Sequence, residues 1–253
     1  MMKMLCFIAA CLFGTFCAHA QAVSLRDYCP DKLRQEGGTC ASYAPVYTAL
    51  STQYNAAHNY KLPDTNFTAF SYGFVASKIK AGKNILIRLF TKCGWGVQAN
   101  LALDVLKETG TVRQEQFPYP CSCARQKKVQ ASIPRFKIKG YQQLGDVHTP
   151  YDSHLNAIKE ALNAKCPVII PIYQTVFFRQ NKTKDAVFPA DYEKEVSEGA
   201  NHVVCILGYD DARNGGSFLV KNNYLDWGND HGFAYVRYDD LFKLIRFSYR
   251  MVI

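Results

Sequence analysis

The chain has 253 residues, 48% of them hydrophobic and 13% aromatic, with a formal net charge of +9. That composition excludes a disordered or low-complexity protein and suffices for one large core or two small lobes. The positive residues are scattered apart from Arg125-Gln126-Lys127-Lys128, without the basic and aromatic interleaving of a nucleic-acid binder.

Residues 1–20 are set aside from the fold. Lys3, the apolar run Met4 to Phe16 and the small-x-small Ala18-His19-Ala20 form the pattern of a signal peptide cut after Ala20. A lipoprotein reading at Ile8-Ala9-Ala10-Cys11 ranks lower because it leaves a very short apolar region. No other run is long enough to span a bilayer, so the mature chain is expected to be exported, soluble and monomeric. Seven cysteines then remain: Cys29, Cys40, Cys93, Cys121, Cys123, Cys166 and Cys205. In an exported protein an odd count suggests one free thiol and up to three bridges, whose pairing the spacing does not choose. Cys205 lies in an apolar run and reads also as a small buried hydrophobe. Cys121-Ser122-Cys123 has the wrong spacing for zinc, and neither metal nor cofactor is expected.

Cys40 to Gln53 has helix-like apolar spacing, and Pro45 requires the helix to begin close to Cys40. Phe70 to Lys80 reads as a second helix. Gly96 to Glu108 reads as a third, with Val97, Leu101, Val105 and Leu106 on its apolar side and Gly110 ending it. Asp152 or Ser153 is placed to cap a fourth, whose apolar face is Leu155, Ile158, Ala161 and Leu162. Pro167 to Tyr173 reads as a buried strand, and Asn181 to Ala200 as a long polar surface loop. Strands are expected at His202 to Tyr209, Ser217 to Lys221 and Gly232 to Tyr238. Helices first and strands later point to an α+β protein in two lobes, a helical one over about 40–145 and a strand-rich one over about 146–253 plus the N-terminal segment.

The chemistry centres on Cys40, behind Gly37-Gly38-Thr39 and ahead of Ala41-Ser42-Tyr43-Ala44. A thiol attacks only as thiolate, and a helix N-terminus favours the anion. Against this stands the plain alternative of a structural half-cystine. His202 opens an apolar strand that would hold its ring rigidly as acid and base. Taken singly, a histidine satisfied in the core is the commoner case. Asn222 follows the strand Ser217–Lys221 and is suited to orient an imidazole, although Asn223 stands beside it. Cys, His and Asn in that order make a nucleophile, a base and an orienting amide, an arrangement suited to cutting peptide bonds.

Five segments in order resemble the papain-like cysteine peptidases, more closely their secreted bacterial relatives. They are Gly38-Thr39-Cys40-Ala41-Ser42-Tyr43-Ala44; Cys93-Gly94-Trp95-Gly96; Glu115-Gln116-Phe117-Pro118-Tyr119-Pro120; Ala200-Asn201-His202-Val203-Val204; and Lys221-Asn222-Asn223-Tyr224 with Trp227-Gly228 and His231-Gly232-Phe233. The resemblance covers nearly all of the mature chain. It implies a helical lobe, a strand-rich, β-barrel-like lobe and an active site in the cleft between them. It assigns Cys40 as nucleophile, His202 as acid and base, and Asn222 rather than Asn223 as orienter. Gly94, Trp95, Gly96 and Asn201 become substrate-binding residues, with a protein or peptide as substrate.

The chain also departs from that pattern. The family's oxyanion glutamine lies six residues before the cysteine, where this chain has Arg34; Gln35, five before, is the expected donor, with the Cys40 N–H as the second. The family cysteine that pairs with the one matched by Cys93 is Gly37 here, and Cys29 is a candidate substitute. Trp95 replaces a cleft glycine, Ala41 the aromatic after the nucleophile, and Tyr224 a tryptophan over the His202–Asn222 contact. With Cys40 only twenty residues past the expected cleavage point, no inhibitory propeptide fits. The shifted glutamine and Trp95 motivate a second hypothesis, a papain-like binding protein with weak or lost hydrolysis. A third, a cell-wall amidase or transglutaminase-like enzyme, fits the ordered segments less well.

Overall fold

The computed structural model describes residues 21–84, 93, 98–197 and 199–253. The signal segment, and Gly94, Trp95, Gly96 and Val97, lie outside the described residues.

The helix expected at Cys40 begins there as α1, Cys40–Ser42, and continues through Tyr43–Leu50 into α2, Ser51–His58. It is not regular, and it runs past the expected end at Gln53. Residues Tyr43–Leu50 wind as a π-helix. Pro45 explains a departure from α winding: it has no N–H to give, and its ring would collide with the carbonyl four residues back. The whole π segment is buried. Polar residues on α2 find partners inside the protein. Asn55 Nδ2 donates to the carbonyls of Tyr28 (3.1 Å) and Thr68 (2.9 Å), Thr68 N–H returns a bond to Asn55 Oδ1, and Phe70 N–H donates to Ser51 Oγ.

α3 is Tyr72–Gly82, capped by Ser71 Oγ, which accepts from Phe74 N–H at 3.2 Å. α4 is Ala99–Glu108, and the Gly110 N–H reaches back to the Val105 carbonyl at 3.0 Å with φ +76°, the helix stop expected of that glycine. Its buried face is Ala99, Ala102, Leu103 and Leu106. Leu101, expected inside, is 42% exposed, because the burial stripe runs through positions 99, 102, 103 and 106 instead. A short α5, Cys123–Lys127, follows. α6, Tyr151–Asn163, buries Ile158, Ala161 and Leu162 as expected, together with His154. Its N-cap is Pro150, two residues before Asp152 and three before Ser153, and no side chain caps the helix. The fixed φ of proline suits a helix entry.

Eight strands form one sheet among the described residues: β1 Ala22–Ser24, β2 Gly140–Asp146, β3 Val168–Ile172, β4 Asp185–Ala186, β5 His202–Asp210, β6 Ser217–Lys221, β7 Phe233–Arg237 and β8 Phe247–Val252. The order is β2-β8-β3-β5-β6-β7-β4, with β1 also on β5. All pairings are antiparallel except β4 with β7. The sheet is open rather than closed, so the barrel-like expectation is corrected to a mixed, open sheet. The strands expected from 167, 202, 217 and 232 appear as β3, β5, β6 and β7. β5 is central because almost every residue in it is apolar and buried. It pairs with β3 through His202–Ile206 and with β1 through Gly208–Asp210. A Cβ at Gly208 would lie 2.2 Å from the Val23 carbonyl oxygen, so only glycine admits β1.

Three expectations change. The segment Asn181 to Ala200 is not featureless: it contains β4 and a 3₁₀ turn, Tyr192–Glu195, that buries Tyr192. Two further short helices, α7 (Val176–Gln180) and α8 (Tyr238–Leu244), lie in the strand-rich half. The described cysteines form one disulfide, Cys93–Cys121, while Cys29, Cys40, Cys123, Cys166 and Cys205 are free thiols. Cys29 therefore does not substitute for the missing partner of Cys93; it is fully buried elsewhere in the core. Cys205 is the buried small hydrophobe expected, its Sγ donating to the Ala44 carbonyl at 3.2 Å. That contact seats the π segment on β5.

Candidate active site

Four segments converge. Cys40 opens α1, with Thr39 before it; the N–H groups of Ser42 and Tyr43 both bond to the Thr39 carbonyl, and Thr39 Oγ1 donates to the Glu36 carbonyl at 2.8 Å. The preceding loop is held from the helix side. Tyr43 OH donates to the Leu33 carbonyl, and Leu33 N–H donates to Tyr47 OH. Tyr43, Tyr47 and Tyr72 pack as an aromatic cluster with centroids 5.0–6.5 Å apart.

His202 is the first residue of β5 and is buried. Its Nε2 lies 3.0 Å from Asn222 Oδ1. The Asn223 backbone N–H donates to the same Oδ1 at 2.7 Å, which fixes the amide with its oxygen toward the ring. An amide oxygen only accepts, so Nε2 carries the proton and Nδ1 is left with the lone pair a base needs. Asn222 is itself pinned: its N–H bonds to the Gly232 carbonyl at 2.8 Å, and its carbonyl accepts from the buried Lys221 Nζ at 3.0 Å. Lys221 Nζ also donates to the His231 carbonyl at 2.7 Å. Tyr224 lies parallel to the imidazole, centroids 5.6 Å apart and planes at 5°.

Burial governs the electrostatics. It pushes the Cys40 thiol up from its ordinary value, against the N–H groups of Val203, Ala41 and Cys40 itself, which favour the anion. The expectation that a helix start lowers this thiol is thus outweighed by burial. The N–H of Val203 places the sulfur against the strand residue that follows His202. Burial also pulls His202 down to about 4, with the Asn222 hydrogen bond opposing. Alone, each group favours its neutral form.

Gln35 is buried, and its side chain is committed at both ends: Oε1 accepts from Asn223 Nδ2 at 2.8 Å, and Nε2 donates to the Gly37 carbonyl at 2.6 Å. Asn201 precedes the histidine, but its side-chain amide is spent on the Gln174 backbone, accepting from its N–H at 2.6 Å and donating to its carbonyl at 3.4 Å. Asn223 was given no role in the sequence; the only signal there was a second asparagine directly beside the orienting one, and the structure shows it fully buried. Among the described residues no group of three or more His, Cys, Asp or Glu is placed to hold a metal ion, and no helix is long and apolar enough to cross a membrane.

A helix-borne thiol favoured by the backbone N–H of the strand residue after a histidine, with that histidine hydrogen-bonded to an asparagine, on this mixture of helices and open sheet, is consistent with the papain-like fold class. A family profile described as papain family cysteine protease matches residues 38–243, and the chain belongs to that family of cysteine-type peptidases. No curated protein matches the chain. Solved structures share the fold. The Amb a 11 cysteine protease, a major ragweed pollen allergen, in its proform has a TM-score of 0.66 at 20% identity, over 92% of this chain and 66% of that one. A Carica candamarcensis cysteine protease in complex with E-64 has 0.66 at 14% identity, over 91% and 97%. The bromelain protease of Ananas comosus in complex with the E64 inhibitor has 0.65 at 17%, over 92% and 99%. The chain thus spans just under two thirds of the ragweed proform.

Proposed function

We propose that the chain is an exported cysteine peptidase of the papain family, of the secreted bacterial branch, made with a signal peptide cut after Ala20 and acting as a monomer on protein or peptide substrates. In this reading residues 40–145 form a helical lobe, residues 146–253 with the N-terminal segment a strand-rich lobe, and the cleft between them holds the site. The observation that carries the reading is the 3.0 Å contact of His202 Nε2 with Asn222 Oδ1, which leaves Nδ1 free on the strand that also offers its Val203 N–H to the Cys40 sulfur.

The thiolate of Cys40 attacks the carbonyl carbon of the peptide bond, its proton having passed to His202 Nδ1. The oxygen of the tetrahedral intermediate takes the charge and is held by the Cys40 N–H and by the second hydrogen of Gln35 Nε2. His202 gives its proton to the leaving amine, and the carbon–nitrogen bond breaks. His202 then takes a proton from water, whose oxygen attacks the thioester and releases Cys40 and the second product. Asn222 keeps the imidazole in one tautomer throughout. Gly94, Trp95 and Gly96 are substrate-binding residues in this reading, and Asn201 meets substrate through its backbone, since its side chain is engaged.

The test is labelling of the folded, reduced protein by an epoxide thiol probe of the E-64 type. Labelling that disappears in Cys40→Ala supports the reading; no labelling of wild type at any pH from 4 to 8 sinks it. One observation favours a second reading, a weakly hydrolytic binding protein: Gln35 Nε2 spends one hydrogen on Gly37. Labelling without turnover of any peptide would select it.

A further inference from the structure

The loop that carries Gln35 also carries Arg34, in the position where the family places its oxyanion glutamine. Arg34 is exposed, and its guanidinium carbon lies 5.6 Å from the centroid of the Tyr224 ring. Tyr224 is the ring parallel to His202. A second arginine reaches the same neighbourhood from α7. Arg179 is exposed and follows Phe178, whose buried ring packs on Trp227 with centroids 5.0 Å apart and whose carbonyl accepts from Trp227 Nε1. The Trp227 N–H in turn donates to the Tyr224 carbonyl at 3.1 Å. Arg34 and Arg179 both act electrostatically on the Tyr224 phenol, as does Cys40. Among the described residues neither arginine makes an ion pair; the nearby acid, Asp226, is bonded by Lys182. The rim of Tyr224 therefore carries more positive than negative charge.

Resting on the peptidase reading of the same site, we propose that Arg34 and Arg179 form with Tyr224 a cationic subsite for an acidic side chain on the departing half of the substrate, so that Asp or Glu is preferred directly after the cut. The amine that leaves must come within hydrogen-bond reach of the His202 ring. The residue bearing that amine then lies against whatever covers the imidazole, which is Tyr224. Its side chain meets an apolar face edged by two guanidinium groups. A forked guanidinium matches a carboxylate in shape as well as charge, whereas a lysine there would face two like charges.

The experiment uses the full chain, reduced, with three internally quenched peptides identical except for Glu, Gln or Lys after the cut, the cleavage point being checked by mass spectrometry. The expected order of kcat/KM is Glu above Gln above Lys, with Glu over Gln by roughly twofold to fivefold at low salt and the gap closing as salt is raised. Arg34→Glu should reverse the order of Glu and Lys, and Arg34→Gln should bring Glu and Gln together; epoxide labelling of each variant shows that it is folded. Equal rates for Glu and Gln at low salt overturn the subsite, as does a Glu preference that survives Arg34→Glu combined with Arg179→Glu. Epoxide labelling with none of the three peptides cut also overturns it. Neither labelling nor cleavage removes the peptidase reading itself, and the subsite with it.

Discussion

Asn223 grips Gln35 twice: its backbone carbonyl accepts from the Gln35 N–H at 3.1 Å, and its Nδ2 donates to Gln35 Oε1 at 2.8 Å. The other Nδ2 hydrogen goes to the Val203 carbonyl at 2.9 Å, one residue past the histidine. A single buried amide thus ties the loop before the nucleophile to the strand that bears the base. The loop is one residue shorter than the family pattern between glutamine and cysteine, and this double contact replaces positional spacing as the device that locates Gln35.

The first expectation follows from that pair. Gln35→Ala should lower kcat by about 10²–10³, the usual effect of removing an oxyanion donor. Asn223→Ala should lower it as well, and the double variant should lose less than the product of the two single losses, since one residue acts through the other. Steady-state kinetics on all four proteins measures this; strict multiplicativity would show that Asn223 does not act through Gln35.

Removing the orienting amide should act chiefly on the base, although the Asn223 N–H loses the same acceptor. Asn222→Ala leaves the buried Nε2–H of His202 without an acceptor, a loss of about 1–3 kcal/mol or roughly 10-fold to 100-fold in kcat. Asn222→Asp keeps an accepting oxygen and should retain more activity. Equal rates for the two variants would argue that Asn222 orients nothing.

Stability should fall on mild acidification for a reason specific to His202. Its folded value lies at about 4 against an ordinary 6.5, so between these the unfolded chain binds the proton and the folded chain does not. Stability from this residue is complete above about 6.5 and is lost as pH falls toward 4, a difference of about 3 kcal/mol. His154, also pulled down by burial, adds in the same direction. The lowered carboxylates Asp185, Asp226 and Asp230 act at lower pH, where their unfolded counterparts protonate. Urea unfolding of wild type and His202→Gln at pH 4.5 and 7 should show a smaller pH dependence in the variant.

Thiol counting tests the bridge pattern. Alkylation of the denatured, unreduced chain from residue 21 onward should modify Cys29, Cys40, Cys123, Cys166 and Cys205 and leave Cys93 and Cys121 joined. That bridge spans a sequence separation of 28 residues, and losing it through Cys121→Ser should cost about 3–4 kcal/mol in the chain-entropy account. Cys29→Ser should leave the bridge intact.

The legible parts of the fold were those with local apolar pattern. β5 is a run of buried apolar residues and could be little else, and α3 and α6 show helical spacing with buried Ile79 and Ile158. β2 and β8 carry polar residues such as the exposed Gln142 and Gln143 and the half-buried Arg250, and they exist because they pair with each other across more than a hundred positions of sequence. At the site, the residue types and order of Cys40, His202 and Asn222 were readable, the last with help from family resemblance. The grip of Asn223 on Gln35 was not, because it joins residues 188 apart in sequence and depends on where two loops meet. The partner of Cys93 was likewise a matter of spatial proximity that spacing does not encode.

The winding of Tyr43–Leu50 has a consequence for rotational phase. In an α-helix each residue turns the chain by about 100°, so the direction in which Cys40 points is locked to that of any residue further along. The π segment breaks this lock. Its far end is clamped by Ser51 and Asn55 to Phe70, Tyr28 and Thr68, while its near end presents the sulfur to the N–H of Val203. Deleting one residue between Tyr43 and Leu50 would leave both ends helical and the core composition almost unchanged, yet would swing the thiol about a quarter turn away from the Val203 N–H. The extra width of this helix is in effect an angular setting, and Pro45 is the residue that holds it.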